Sequence, residues 1–165
     1  MRVESHKTRI LFLIGGYGTG GKERQLTELI KHLSSEKYAI HLFSKCNSSY
    51  YFNSIKKFLV SYCSLNKKYF NFNDIFELRK FLKKVHPDVV FTFSSTLGHY
   101  ALLIELLGGF SYRLINGSIR DAPVNLNMEM KFERFMYNFY EKVVANSRAG
   151  LRAYHQNGKK GRYVL

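Results

Sequence analysis

The sequence predicts the α/β class, with an open parallel β-sheet that carries helices on both faces. Seven short apolar runs alternate with segments of helical period, and strands that alternate with helices form parallel sheets. Five glycines between Gly15 and Gly21 separate the first run from an amphipathic segment, an order typical of a phosphate-binding turn. The length of 165 residues, 45% of them apolar, fits one domain over residues 1–165.

The runs predicted as strands are short and apolar, and polar or turn residues flank them. They are Ile10–Ile14, Ala39–Phe43, Tyr69–Phe72, Val89–Phe93, Tyr112–Asn116, Val143–Ala145 and Arg162–Leu165.

The segments between the runs show the spacing of amphipathic helices. The first helix has its apolar face at Leu26–Leu33 and the second at Phe52–Tyr62. Asp74 and Glu77 match a capping box for a third helix, which Pro87 ends.

A fourth helix is predicted at Leu97–Leu107, followed by Gly108 and Gly109, which suit a helix C-terminus. This segment is apolar nearly all round. We therefore expect it to be well buried.

Small, hydroxyl-bearing and charged residues follow the predicted strands, where open parallel sheets bind ligands. Helix caps would also favour Ser, Asn and Asp at these points, but the gathering predicts a ligand cleft. The candidate ligand-binding residues are Gly16, Gly18, Gly20, Gly21, Lys22, Ser94, Ser95, Arg120, Asn146 and Ser147.

The glycine loop fits three phosphate-binding signatures. The first is the Gly-x-Gly-x-x-Gly of a dinucleotide site, and the second is most of the ATP or GTP loop Gly-x-x-x-x-Gly-Lys-Ser/Thr. The third is the Gly-Gly-x-Glu loop of some glycosyltransferases, present as Gly20-Gly21-Lys22-Glu23.

The residues around the loop rank these signatures. Glu23 occupies the place where a nucleoside triphosphatase needs a hydroxyl for Mg²⁺, and a carboxylate there repels phosphates. A dinucleotide site expects an acid after the second strand, but Ser44 and Lys45 are found there. Because Lys45 would meet the extra phosphate of NADP, an NADP-binding domain stays an alternative.

The chain is strongly basic, with 26 Lys and Arg against 12 Asp and Glu and a net charge of +14. Lys37 to Lys84 holds ten basic residues, two acids and many aromatics. Such a stretch fits an anionic membrane surface, a nucleic acid or a solvated face. RNA-binding signatures are missing from the sequence, so we expect no nucleic-acid partner.

A peripheral contact with an anionic membrane therefore stays open. The chain would make this contact either as a non-catalytic binding module or as part of an enzyme. Lys56 and Lys57 would rest on lipid headgroups while Phe52, Phe58 and Tyr62 reach the interface from the same predicted helix.

Cysteine usage and hydropathy bear on location. Cys46 and Cys63 are too few for a disulfide framework, which fits a reducing compartment. The apolar runs are shorter than the roughly 20 residues of a membrane span, and the N-terminus lacks a signal-peptide core. We expect a cytoplasmic protein, for which a peripheral contact with the inner face of the membrane stays open.

Several motifs together resemble the N-terminal domain of family 4 glycosyltransferases, whose fold is GT-B, with Rossmann-like halves. They are "ILFLIGGYGTGGKERQLTELIKHL", "KVHPDVVFTFSS", "INGSIRDAP", "VVANSRAGLRAY" and "GKKGRYVL". The resemblance extends from Arg9 to Leu165.

The resemblance implies a hexosyltransferase that moves a sugar from a nucleotide-sugar to a glycan or lipid-linked acceptor, with retention, in polysaccharide biosynthesis. In that family the N-terminal half holds the acceptor, and its glycine loop approaches the donor diphosphate. The nucleotide-sugar is a substrate, so no cofactor and no metal site are expected. Glu23, in the first helical turn, is expected to act as an N-terminal cap.

The sequence also departs from the family. Many members carry a histidine after the fifth strand, but Ser118, Arg120 and Asp121 stand there, and Arg120 could contact a phosphate. His99 is interpreted as structural. The family's donor-binding domain does not follow within these 165 residues, so we expect the chain alone to be inactive and assign no catalytic residue.

Overall fold

The computed structural model describes residues 6–45, 50–67, 71–158 and 160–163. The strands in these residues are β1 (Thr8–Ile14), β2 (Tyr38–Ser44), β3 (Ser61–Ser64), β4 (Val89–Thr92), β5 (Arg113–Ile119), β6 (Lys142–Ala145) and β7 (Gly161–Tyr163). The helices are α1 (Gly21–His32), α2 (Tyr50–Ile55), α3 (Asp74–Val85), α4 (Ser95–Leu106), α5 (Met128–Met136) and α6 (Arg148–Ala153). Single 3-10 turns follow α2 at Lys56–Phe58 and α5 at Tyr137–Phe139.

All strand pairs are parallel, and the sheet order is β3-β2-β1-β4-β5-β6-β7. The strand order reverses between β1 and β4, so the loops after these two strands diverge. Such a switch point leaves a crevice at the carboxyl edge of a parallel sheet. The glycine loop follows β1 at this point, and the predicted class and its Rossmann-like topology are confirmed.

Two cores lie on the two faces of the sheet because side chains alternate along β1. Phe12 and Ile14 pack with α1 and α2 on one face. Leu11 and Leu13 belong to the core on the other face, which α3, α4 and α6 share. The predicted two-sided burial is therefore present.

The third strand is not at the predicted position. It is Ser61–Ser64, beside His41–Ser44 of β2, whereas Tyr69 and Phe70 lie outside the described residues and Phe72 is not in a strand. The predicted second helix is also too long, since Tyr62 lies in β3. Over a few residues at a sheet edge, apolar spacing does not separate a period of 3.6 from a period of 2.

The predicted capping box of α3 is wrong. Asp74 is the first helical residue, and its buried carboxylate accepts hydrogen bonds from the Asn71 N–H (2.8 Å) and the Lys67 ammonium (2.7 Å). Glu77 pairs instead with Lys80 at 2.8 Å on the surface. Asp74 thus joins the start of α3 to the loop that precedes it.

The fourth helix is less buried than predicted. Its Ala101 and Leu102 face the core, but Leu103, Leu106 and the following Leu107 are exposed. Gly108 continues the chain with φ near +89°, where glycine is favoured.

Of the two cysteines, the structure describes Cys63. Cys63 is a free, half-buried thiol, and burial raises its pKa. Cys46 lies outside the described residues.

Phe52 is buried in the core, so it cannot reach a lipid surface as predicted. Within the described ranges, none of the helices has the length and apolar character that crossing a membrane requires.

Candidate functional site

The glycine loop is fixed to the scaffold by Tyr17. This side chain is fully buried, its ring contacts Phe52 edge to face, and its hydroxyl hydrogen-bonds the Thr27 hydroxyl of α1 at 2.8 Å. Burial raises the Tyr17 pKa to about 12. An aromatic residue inside a glycine-rich loop is the sequence signal for this anchor, which the glycine motifs alone do not predict.

The glycines of the loop provide room rather than unusual backbone angles. Among the described glycines, positive φ occurs at Gly108 and Gly109, outside the loop. A Cβ on Gly18 or Gly21 would meet open space, whereas one on Gly20 would lie 2.5 Å from a carboxylate oxygen of Glu23. A side chain at position 20 would therefore displace the Glu23 carboxylate, while Gly18 and Gly21 leave their surroundings open.

The N-terminus of α1 faces this open space. Gly20 is the N-cap residue and, as a glycine, has no side chain to cap the helix. The first backbone N–H groups of a helix have no partner within it and carry a partial positive charge. This helix end can therefore accept an anion in the place where a capping side chain would lie.

Arg120 comes to the same place from the end of β5. Its Nη1 donates a hydrogen bond to Gln25 of α1, its guanidinium lies 5.0 Å from the ring centroid of Phe93, and Asn146 donates to its backbone oxygen at 2.7 Å. Gln25 and Phe93 thus hold the guanidinium, and Asn146 holds the backbone of the same residue. The carboxylate of the neighbouring Asp121 accepts a hydrogen bond from the Tyr154 hydroxyl.

Two nitrogens of this guanidinium are buried and have no hydrogen-bond partner among the described residues. They are Nε and Nη2 of Arg120. Burial lowers the Arg120 pKa, which the charge of Glu23 partly offsets, yet an arginine stays protonated at neutral pH. Buried N–H groups without a hydrogen bond are costly, so an acceptor from a ligand would relieve this cost.

Glu23 is a buried acid in the first turn of α1, where a carboxylate interacts favourably with the helix N-terminus. Its carboxylate lies against Gly20 and is 3.8 Å from the Lys22 ammonium. Together Lys22 and Arg120 outnumber this single carboxylate. The site keeps a positive charge.

These residues line a cleft of about 660 Å³ at the carboxyl edge of the sheet. Five predicted residues meet there, and they are Gly20, Gly21, Lys22, Arg120 and Asn146. Gly16 and Gly18 lie earlier in the same loop. An apolar groove of about 430 Å³ adjoins the cleft and shares Gln25 and Arg120 with it.

The predicted serines have structural partners outside the cleft. Ser94 and Ser147 are N-caps of α4 and α6, where their hydroxyls accept hydrogen bonds from Leu97 and Gly150. Ser95 donates to Ser118 at 3.3 Å. The structure thus separates these caps from the glycine cleft.

His99 also lies away from the cleft. Its Nε2 is 3.5 Å from Glu133 of α5, and its ring contacts Phe132 edge to face. These contacts join α4 to α5, as a structural histidine would. Within the described ranges, no three His, Cys, Asp or Glu side chains are grouped closely enough to hold a metal ion.

The fold and the cleft define a class of protein, the Rossmann-like domain that forms one half of a GT-B glycosyltransferase. The chain belongs to Glycosyltransferase Family 4, whose profile matches residues 19–164. At the level of sequence, no curated protein matches it.

Solved structures share this fold at low sequence identity. The lipopolysaccharide outer core galactosyltransferase WaaB has a TM-score of 0.69 and 15% identity over 94% of this chain and 44% of its own. Anabaena HepE in complex with UDP-glucose has 0.68 and 17%, over 95% and 43%. A glycosyltransferase from Rickettsia africae has 0.67 and 16%, over 96% and 43%. The chain thus spans less than half the length of each.

Proposed function

We propose that this chain is the acceptor-side domain of a retaining glycosyltransferase. The complete enzyme would move a hexose from a nucleotide-sugar to a glycan or lipid-linked acceptor. Family membership supports transferase chemistry, and the solved neighbour HepE binds UDP-glucose. The nucleotide-sugar would bind mainly to a second domain, while this domain forms the opposite wall of the cleft.

One observation carries the proposal. Arg120, which has two buried N–H groups without a partner among the described residues, lines the same cleft as the N-terminus of α1. Two positive features that converge on open space are suited to a diphosphate, because charge-assisted hydrogen bonds are stronger than neutral ones. Gly21 adds the room for close approach of the ligand to the backbone.

The residues of the cleft would divide the work. The N–H groups at Gly21 and Lys22 and the Arg120 guanidinium would bind phosphate oxygens of the donor as the cleft closes. Asn146 would keep the Arg120 backbone in place through its 2.7 Å hydrogen bond. A leaving nucleoside diphosphate gains negative charge, so these fixed donors would favour its departure.

The test is a titration of the isotopically labelled chain with pyrophosphate, UDP and NADPH, followed by backbone amide NMR, which detects millimolar binding. We expect pyrophosphate and UDP to shift the Gly21 and Lys22 amides. Arg120→Gln should weaken binding at least about tenfold, since a hydrogen bond to a charged group contributes about 1.5–3 kcal/mol.

Arg113→Gln is the matched control, because Arg113 pairs with Glu141 on the surface, outside the cleft. It should bind like the wild type. Equal binding by Arg120→Gln would contradict the proposal. Shifts with NADPH but with neither pyrophosphate nor UDP would favour the NADP-binding alternative.

A peripheral contact with an anionic membrane is a second part of the proposal. No Asp or Glu occurs between Lys37 and Asp74, and the exposed Lys56 and Lys57 lie on the edge that carries β3. Lys56 Nζ is 5.8 Å from the ring centroid of the exposed Tyr62. Each such lysine near an anionic surface contributes about 1 kcal/mol.

A further inference from the structure

Helix α5 exposes its large apolar side chains to solvent. Met128 is 79% exposed, Phe132 54%, Phe135 57%, and Phe139 in the turn after the helix 49%. The opposite side of the helix faces the protein, where Met130 packs against the core. Isolated exposed apolar residues are normal on protein surfaces, but a contiguous apolar surface marks an interaction site.

Helix α4 extends this apolar surface. The His99 ring of α4 contacts Phe132 with ring centroids 5.6 Å apart, and Glu105 of α4 lines one cavity with Phe139. Exposed leucines follow His99 by four, seven and eight residues and so lie along its side of α4. We define the α4–α5 ridge as the exposed side chains of Met128, Phe132, Phe135, Phe139, Leu103, Leu106 and Leu107.

The α4–α5 ridge is large enough for a protein interface. Its side chains together expose on the order of 700 Å², since a fully exposed side chain of this size offers roughly 200 Å². The largest apolar patch of an ordinary monomer covers about 300–600 Å², and each partner in a typical specific complex buries about 800 Å². The ridge thus reaches the size at which a specific contact with another protein forms.

The charges around the ridge are mixed, although the whole chain carries +14. Two such chains repel each other wherever basic surface meets basic surface. On α5 and around the cavity beside Phe139, acids and bases balance: they are Glu105, Glu129, Glu133 and Glu141 against Arg113, Lys131, Arg134 and Lys160. A second copy of the chain can therefore approach this surface without strong repulsion.

The intervals along α5 read the same in both directions. Met128, Phe132, Phe135 and Phe139 are separated by four, three and four residues. When two such helices lie antiparallel about a two-fold axis midway between Phe132 and Phe135, Phe132 of each copy faces Phe135 of the other, and Met128 faces Phe139. One patch is then used twice, as the symmetric interface of a dimer requires.

We propose that the α4–α5 ridge is the interface of a two-fold symmetric dimer of this chain, in which the two α5 helices lie antiparallel. The phenyl groups of α5 form its centre, and the exposed leucines of α4 extend the contact to one side. The inference does not rest on the proposed transferase function, because the ridge is separate from the cleft at Arg120.

Sedimentation velocity over micromolar to millimolar concentrations measures the association. We expect the wild type to dimerise reversibly, and Phe132→Gln/Phe135→Gln to raise the dissociation constant at least about 100-fold, since two buried phenyl groups are lost from the interface. Phe72→Gln/Phe76→Gln, which removes two exposed phenyl groups beside and on α3, should dimerise like the wild type. Added salt should strengthen the dimer, because it screens the repulsion between two +14 chains.

Crosslinking tests the antiparallel arrangement itself. In a Cys46→Ser/Cys63→Ser background, chains with Met128→Cys and chains with Phe139→Cys are treated with a short bifunctional maleimide, first separately and then mixed. The antiparallel pair brings positions 128 and 139 together, whereas two copies of position 128 lie about 16 Å apart along the helices at 1.5 Å per residue. We expect a crosslinked dimer in the mixture and none in either variant alone.

Thermal unfolding of each variant separates lost association from lost folding. A wild type that stays monomeric at millimolar concentration would overturn the inference, as would a folded ridge variant that dimerises like the wild type. Crosslinking of Met128→Cys with itself would overturn the antiparallel arrangement. If the wild type is monomeric and the ridge variant loses binding to phosphatidylglycerol vesicles, the ridge contacts a membrane instead of a second copy. Sugar transfer is measured separately, so any of these results leaves the proposed transferase function untouched.

Discussion

Residues at the carboxyl edge of the sheet differ in whether their polar groups already form hydrogen bonds within the protein. Ser94 and Ser147 cap helices, so their hydroxyls are occupied within the fold. Arg120 is held by Gln25, Phe93 and Asn146, yet within the described part of the chain its Nε and Nη2 have no hydrogen-bond partner. The free donors of Arg120 therefore define the candidate site better than the presence of polar residues alone.

Gly21 provides a test at this scale. We expect Gly21→Val to lower turnover about 10- to 100-fold in a protein that also carries the donor-binding domain, because the side chain would stand between the backbone N–H and the phosphate. The melting temperature should stay unchanged, since a Cβ at Gly21 meets no atom within 4 Å.

Gly158→Val is the control, as Gly158 has equally open surroundings and lies outside the cleft. Turnover is followed with radiolabelled nucleotide-sugar and folding by thermal denaturation. Normal turnover in Gly21→Val would remove the phosphate contact from this glycine.

The ion pair between Asp88 and Arg9 predicts how the stability of the fold depends on pH. Its carboxylate accepts hydrogen bonds from the Arg9 guanidinium and the Arg9 N–H, and these bonds lower the Asp88 pKa. A lowered pKa in the folded state stabilises the protein above the unfolded value of about 3.9, and this stability is lost as the pH falls through the folded pKa.

Wild-type protein should therefore melt at a higher temperature than Asp88→Asn at pH 7. The difference should shrink steadily below pH 4. Melting curves of both proteins between pH 2.5 and pH 7 measure it, and a difference independent of pH would assign the effect to packing.

At the scale of elements, α3 depends on the loop before it. Asp74 is fully buried and joins Lys67, Asn71 and the first turn of the helix. Asp74→Ala should lower the free energy of unfolding by about 1–3 kcal/mol, because the Lys67 ammonium and the Asn71 N–H lose their buried acceptor.

Glu77→Ala is the matched comparison, since Glu77 forms an exposed pair with Lys80. This substitution should lower the free energy of unfolding by at most about 0.5 kcal/mol. Urea unfolding of both variants gives the two values. Equal losses would show that Asp74 acts through helix propensity alone.

At the scale of the whole molecule, the chain is expected to need a second domain for catalysis. It spans less than half of the solved structures that share its fold, and its cleft opens at one edge of the sheet. Transfer requires donor and acceptor to be held in one geometry. One wall of a cleft does not orient the anomeric carbon of a sugar.

We therefore expect the 165-residue chain to give no measurable transfer of radiolabelled sugar, and transfer to start when a donor-binding domain is supplied in the same chain or separately. The same donors and acceptors are used in both assays, with circular dichroism to confirm folding. Transfer by the chain alone would overturn its assignment as an acceptor-side domain.

The sequence by itself determined the α/β class, six of the seven strand positions to within a few residues, and the family. These features depend on local patterns, namely apolar period, glycines and motif order, which neighbouring residues establish. The third strand was misplaced because edge strands need little apolar character: β3 is held by hydrogen bonds to β2, which are remote in sequence.

Only the tertiary structure decided which strand-end residues share a cleft and which apolar residues stay outside the core. Arg120 contacts Gln25 across 95 positions of sequence. By contrast, Ser94 caps α4 and Ser95 donates a hydrogen bond to Ser118, both outside the cleft. Leu106 and Phe135 follow ordinary helical spacing but face solvent. Side-chain direction depends on how helices pack on the sheet, and local sequence does not encode that packing.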